Sequence, residues 1–190
     1  MGREVYPSSD EYLAIKAVYT MQSTRCGNAG AYFAACVCLG SVLEANLLAM
    51  AKCFPEEVEK SQTYRKKKNP RLEDWFLNDL LKLAIDLKWI PCSVPSVELG
   101  KAIRTSGLSP DDALARGDLG YFADWVREIR NAVHPSNYLR KWGGRPISKE
   151  YYMFCDTIVG LVSDHLSLKA GSAVVEELGE PAKASGSNDL

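Results

Sequence analysis

At 190 residues the chain is long enough for one domain with a full hydrophobic core and too short for two ordinary ones. Hydrophobic residues make up 46% and charged residues 25%, far from a disordered composition, and a formal net charge of -1 argues against wholesale coating of nucleic acid while leaving room for a local basic site. The six cysteines, Cys26, Cys36, Cys38, Cys53, Cys92 and Cys155, include no CxxC pair, so no metal site is expected.

In chain order the periodicity is helical nearly throughout, with no alternating strand run, which predicts an all-α fold. The N-terminal MGREVYPSSDEYLAIK carries acidic residues where a signal peptide needs an apolar run. A cytoplasmic protein with reduced, core-filling thiols is expected. A first helix is predicted from Ser9 to Arg25, with Ser8, Ser9 or Asp10 as N-cap and CGNAG as its break. A second, from Ala29 to Cys53, is apolar almost all round and belongs at the centre of a fold or in a subunit interface. Glu44 and Asn46 interrupt its apolar run, which favours a buried helix over a membrane span.

Pro55 opens a short acidic helix, and the basic run TYRKKKNPR reads as a loop. Leu72 to Trp89 is amphipathic and is ended by the prolines of IPCSVP. One short helix is placed around Val97 to Thr105, then a strong helix from Asp118 to His134, followed by SNYLRKWGGRP as a loop. Ser148 caps a last helix from Lys149 to Lys169. The domain is thus expected to span 9–169, built of about five main helices, with a disordered tail at 170–190.

The helix before His134 sorts its residues by face. At about 100° per residue, Leu119, Phe122, Val126, Ile129 and Val133 fall in a sector roughly 80° wide that is expected to face the core. Arg127 and His134 nearly eclipse one another, Asn131 lies beside them, and Arg130 falls between this stripe and the apolar face. Pro135 disfavours helical geometry at His134 and so places the imidazole at a helix end. Arg127, Arg130, Arg140, Lys141 and Arg145 are opposed in this segment by Glu128 alone. A stripe of this kind is either a solvated polar face or a phosphate-handling site. Arginine offers a planar fork of donors for phosphate, and histidine gives or takes a proton near neutral pH. Those two groups suffice for RNA cleavage, because RNA supplies its own 2′-hydroxyl nucleophile and needs neither metal nor cofactor.

Here the chain resembles the HEPN superfamily, whose motif is an arginine, four to six residues, then a histidine, on a late helix of an all-α bundle. Arg127, EIRNAV and His134 fit that spacing; Arg130 with Asn131 fits the family's habit of a polar residue directly after the arginine. GSVLEANLLAMA, LNDLLKLAIDLKWIP and the last helix extend the resemblance over roughly Tyr12 to Leu168. The resemblance implies a HEPN-like helical bundle, a homodimer pairing two motif helices, and metal-independent endoribonuclease activity. It also implies a toxin-antitoxin or antiviral defence setting, with a nucleotidyltransferase-type antitoxin or regulator as partner. In that reading His134 is the general acid/base, Arg127 holds the phosphate, and Asn131 and Arg130 orient the group.

Supporting roles follow from chemistry. Glu44, the only acidic residue on the second helix, needs a partner if buried, and Arg130 or Arg127 is expected to supply it; a helix-edge carboxylate reaching solvent is the alternative. Arg140, Lys141 and Tyr138 after the motif, and Lys66 and Lys67 in the basic run, are candidate RNA contacts, set against a solvated loop. Trp142 suits either base stacking or core packing, and His165 reads as structural. A module of the same fold that binds nucleotide, RNA or protein without cutting remains the second reading.

Overall fold

The structure, a computed structural model, describes residues 7–69, 71–91 and 119–179. Among the described residues there are helices and turns and no strand, so the fold is all-α. Among the described residues eight α-helices follow in order: α1 (Ser9–Asn28), α2 (Tyr32–Cys53), α3 (Pro55–Lys60), α4 (Gln62–Arg65), α5 (Leu77–Asp86), α6 (Leu119–Asn131), α7 (Pro135–Trp142) and α8 (Lys149–Gly179). A 3-10 turn, Leu72–Asp74, precedes α5. The short helix expected around Val97 to Thr105, and Cys92, lie outside the described residues.

Local chemistry sets several of these boundaries. Ser8 and Glu11 form a reciprocal capping box that starts α1, satisfying backbone donors that the first turn leaves open. Pro55 occupies the first turn of α3, where its missing N–H costs nothing. The Ser148 hydroxyl accepts from the Tyr151 N–H at 3.4 Å and opens α8.

The core lies where α2 meets α6 and α8. Leu43 and Leu47 of α2, Phe122 and Ile129 of α6, and Phe154 of α8 are fully buried, and Phe122 meets Phe154 edge to face at 5.7 Å. α1 packs on α2 as the other arm of a helical hairpin, and α5 closes the side between α2 and α6. α1 is the outermost layer: Tyr12 and Ser23 are its buried residues, while Leu13, Val18 and Met21 are about half exposed.

Among the described residues α2 is the one helix long and apolar enough to cross a membrane, yet 67% of its most apolar stretch is buried by the other helices. Its polar residues are matched accordingly. Asn46 donates to the Ser163 hydroxyl at 2.7 Å, so a buried amide keeps a partner inside the bundle.

Four sequence expectations change. The segment after His134 is a helix and not a loop: Pro135 begins α7, and Gly143, with a φ of 59°, ends it in the left-handed conformation that glycine adopts without strain. Part of the basic run is also helical, as α4, capped by Ser61. The amphipathic stretch from Leu72 divides at Trp75 and Phe76, whose extended backbone separates the 3-10 turn from α5. Finally, α8 continues to Gly179, ten residues past the expected end at Lys169, through an Ala-, Val- and Glu-containing sequence. Alanine and glutamate are good helix formers, and helical backbone needs no apolar face to continue.

Candidate functional site

α6 presents the expected apolar face for most of its length. Leu119, Phe122, Val126 and Ile129 are fully buried. Val133 departs from the pattern and is 49% exposed, while Ala132 is buried in its place. The cause is local. After Asn131 the chain tightens into successive turns, with Ala132, Val133 and His134 N–H groups donating three residues back to Ile129, Arg130 and Asn131. Three residues per turn advance each side chain by about 120°, so the face defined by a 3.6 repeat is lost over these residues. The eclipse of Arg127 with His134 expected from an unbroken helix is lost for the same reason.

His134 itself sits between α6 and α7. Its backbone is extended, with φ -81° and ψ 119°, as a residue before proline favours, and its carbonyl accepts from Asn137 and Tyr138 to start α7. The side chain does not cap that helix; the imidazole is exposed and meets no hydrogen-bond partner among the described residues. Asn131 stands one tight turn earlier, its carbonyl accepting from the Asn137 amide at 3.3 Å. That bond ties the end of α6 to the first turn of α7 across His134.

The two candidate motif arginines are both neutralised. Arg127 is bound to Asp124 on the previous turn, Nε to Oδ1 at 2.6 Å and Nη2 to Oδ2 at 3.1 Å, and also to the neighbouring Glu128. Arg130 reaches α2 and donates from Nη2 to Glu44 Oε2 at 2.5 Å. Of the two arginines, then, it is Arg130 that meets the carboxylate of the second helix. Burial pushes the Glu44 carboxyl above its ordinary value, and the Arg130 charge and hydrogen bond oppose that only in part. The approach is possible because the Arg130 stem lies directly on Gly40: a Cβ at that position would come 2.7 Å from Arg130 Cβ and 2.8 Å from Cδ.

The remaining candidates divide by location. Lys141 on α7 pairs with Glu128 on α6, so Glu128 bridges two cations. Arg140 contacts the Asn137 amide oxygen at 3.1 Å, and neither Arg140 nor Arg145 meets a carboxylate among the described residues. The Tyr138 ring packs on Phe33 at 5.6 Å and its hydroxyl donates to the Arg145 carbonyl, so this tyrosine already has a structural post. Trp142 packs edge to face on Tyr151. The basic run is elsewhere: Lys67 pairs with Asp79 at 2.6 Å and lies over Trp75, and exposed Lys66 ends the α4 segment packed on α5. No pair or hydrogen bond links Lys66 or Lys67 to α6 or α7 among the described residues. His165 on α8 is partly buried.

Asp124 and Glu128 as partners of Arg127 escaped the sequence reading. The three-residue spacing of Asp124 and Arg127 was the available signal, since residues so spaced are neighbours on a helix surface. No group of three or more potential metal-binding side chains occurs among the described residues. Comparison with protein-family models, with curated proteins and with solved structures gave no match.

Proposed function

We propose that the protein is a metal-independent endoribonuclease of the HEPN type. The observation that carries the reading is His134, an exposed imidazole without a hydrogen-bond partner among the described residues, at the junction of α6 and α7, two helices that bear Arg127, Arg130, Arg140 and Lys141. In the reaction His134 takes the proton of the 2′-hydroxyl as the 2′-oxygen attacks phosphorus; the bond to the 5′-oxygen breaks, and a proton returns to that oxygen. The products are a 2′,3′-cyclic phosphate and a 5′-hydroxyl end. Arg127 stabilises the charge gathering on the phosphorane, Asn131 and Arg130 orient the group, and Glu44 holds Arg130. One histidine and one such arginine per chain make a sparse site, which a homodimer with the two motif helices across a two-fold axis would double. The resemblance further suggests a defence or toxin-antitoxin role with a nucleotidyltransferase-type regulator.

The test is incubation of wild type and His134→Ala with a mixed RNA pool in chelator, followed by analysis of the ends. Cyclic-phosphate ends made by wild type and lost in the variant are expected. Cleavage surviving in full in His134→Ala, or disappearing with chelator, would overturn the mechanism.

One observation favours a binding module that does not cut. Arg127 is held by two carboxylates and Arg130 by a third, so neither guanidinium is idle for a phosphate. Saturable RNA binding with intact RNA across a range of pH would identify that reading.

A further inference from the structure

The outermost helix, α1, has two distinct sides. Tyr12, Lys16 and Ser23, among its least exposed residues, fall within about 40° of one another on the side that packs on α2. The opposite sector, about 100° wide, holds Asp10, Ala14, Ala17, Val18, Met21 and Arg25, all exposed, with Leu13 at its edge. A surface helix ordinarily turns polar residues to water, whereas this outward sector is apolar between Asp10 and Arg25, over about 22 Å of helix. Lys16, the single charged residue from Tyr12 to Thr24, lies on the inward side. A contiguous exposed apolar face of this kind is a docking surface. Its sequence also specifies what docks. Asp10, Ala14 and Ala17 follow from one end with the same spacing, four residues and then three, as Arg25, Met21 and Val18 from the other. The two ends carry opposite charge, and neither the Asp10 nor the Arg25 side chain has an ion pair or hydrogen bond among the described residues.

We propose that this face binds a second copy of the chain, the two α1 helices packing antiparallel about a two-fold axis that passes between Ala17 and Val18. In that register Asp10 meets Arg25 of the partner subunit at each end, and Ala14 meets Met21 of the partner subunit. Ala17 and Val18 cross at the centre, where small side chains let two helices approach closely. A parallel pairing would set Asp10 beside Asp10 and Arg25 beside Arg25, which like charge disfavours. One helix face buries less than the roughly 800 Å² a side of a standard interface, so the association is weak and concentration-dependent. No residue of α6 or α7 takes part, so the contact is separate from the pairing of motif helices and independent of RNA cleavage.

The test is analytical ultracentrifugation of the full chain over a range of concentrations, without RNA. Val18→Asp sets two carboxylates together at the centre of the contact and should halve the mass that wild type reaches. The change is from dimer to monomer, or from tetramer to dimer where the motif helices also pair. Asp10→Arg and Arg25→Glu each bring like charges together at both ends and should each weaken self-association at least about tenfold. Mixed in equal amounts, these two chains present opposite charges to one another at both ends, and the wild-type mass should return. Mixing does not repair a folding defect, and thermal midpoints recorded alongside show that each variant is folded. Equal masses for wild type and Val18→Asp, or no recovery in the mixture of folded variants, would overturn the proposal. A wild type that stays monomeric while Val18→Asp lowers the thermal midpoint would assign the face to another part of the same chain. A monomer with an unchanged midpoint would assign it to a different protein, and either result overturns pairing between copies.

Discussion

Arg130 of α6 and Glu44 of α2 form an ion pair of 2.5 Å between two helices that meet in the core, with side chains 31% and 23% exposed. A half-enclosed pair of this kind is worth more than a surface bridge, yet each charge gives up hydration to form it. The raised pKa of Glu44 reports that cost directly: burial disfavours the carboxylate more than Arg130 restores it.

The pair therefore carries a pH dependence with a definite sign. A carboxyl whose folded pKa is raised contributes most below its unfolded value and loses that contribution as pH rises. Removing Arg130 takes away the lowering influence, so the folded pKa rises further. Arg130→Ala is expected to be nearly as stable as wild type near pH 4 apart from lost stem packing, and less stable by about 1–3 kcal/mol near pH 8. Urea unfolding across that range measures the difference. A deficit that is constant with pH would show that the stem and not the charge matters.

Gly40 is the second half of the same contact. The Arg130 stem rests where a Cβ would stand, and the clash involves Arg130 Cβ, which cannot swing away as a side-chain tip can. Alanine is the better helix former by about 1 kcal/mol, so on propensity alone Gly40→Ala should stabilise α2. The clash is expected to reverse that, separating α2 from α6 at a cost of about 1–3 kcal/mol before the propensity gain. Thermal unfolding of Gly40→Ala decides it. A higher midpoint than wild type would mean that the helices tolerate the extra methyl.

These two residues also show what sequence can and cannot convey. The buried stripe Leu119, Phe122, Val126 and Ile129 was legible because a regular helix maps sequence onto angle. Val133 was not, since the mapping ends where the chain tightens after Asn131. That Glu44 would need a cation followed from burial alone, but the choice between Arg127 and Arg130 depends on how α2 and α6 rotate against one another. Gly40, one turn before Glu44 on the same face, makes that choice by letting the Arg130 stem lie flat on α2. For α7 the signal is local, because proline at its first position and glycine just past its end are standard helix punctuation.

A different carboxylate should govern the acid limb of stability. Glu57 on α3 accepts from Trp89 Nε1 at 2.8 Å and from Lys169 Nζ at 2.9 Å, tying α8 and the turn after α5 to α3. Burial pushes its pKa up, but those hydrogen bonds and the charges of Lys169 and Lys60 outweigh it, so the net shift is downward. A lowered folded pKa gives stability that is present above the unfolded value and lost as pH falls. Glu57→Gln should therefore be less stable than wild type near pH 6, and the gap should close as pH approaches 3. The Glu57 side chain is 36% exposed, so added salt should reduce the gap at pH 6. Parallel urea curves at pH 6 and pH 3 test this, and a gap that persists at pH 3 would assign the loss to packing.

The two basic segments can be separated by salt. In α7, Arg140 meets no carboxylate among the described residues, whereas Lys67 in the other segment is already paired with Asp79 and placed over Trp75. A cation that neutralises a phosphate releases counterions, and each such contact with a single strand adds about 0.7 to the slope of log affinity against log salt. A cation that keeps its carboxylate partner releases none. If RNA lies along α6 and α7, Arg140→Ala should lower the slope by nearly one contact and weaken binding about equally for all sequences. Lys67→Ala should leave the slope unchanged while loosening the Trp75 region, seen as a lower thermal midpoint. Fluorescence anisotropy with a labelled single strand between 50 and ~300 mM salt measures both slopes. A fall for Lys67→Ala with none for Arg140→Ala would move the RNA path from α7 to the α4 side of the bundle.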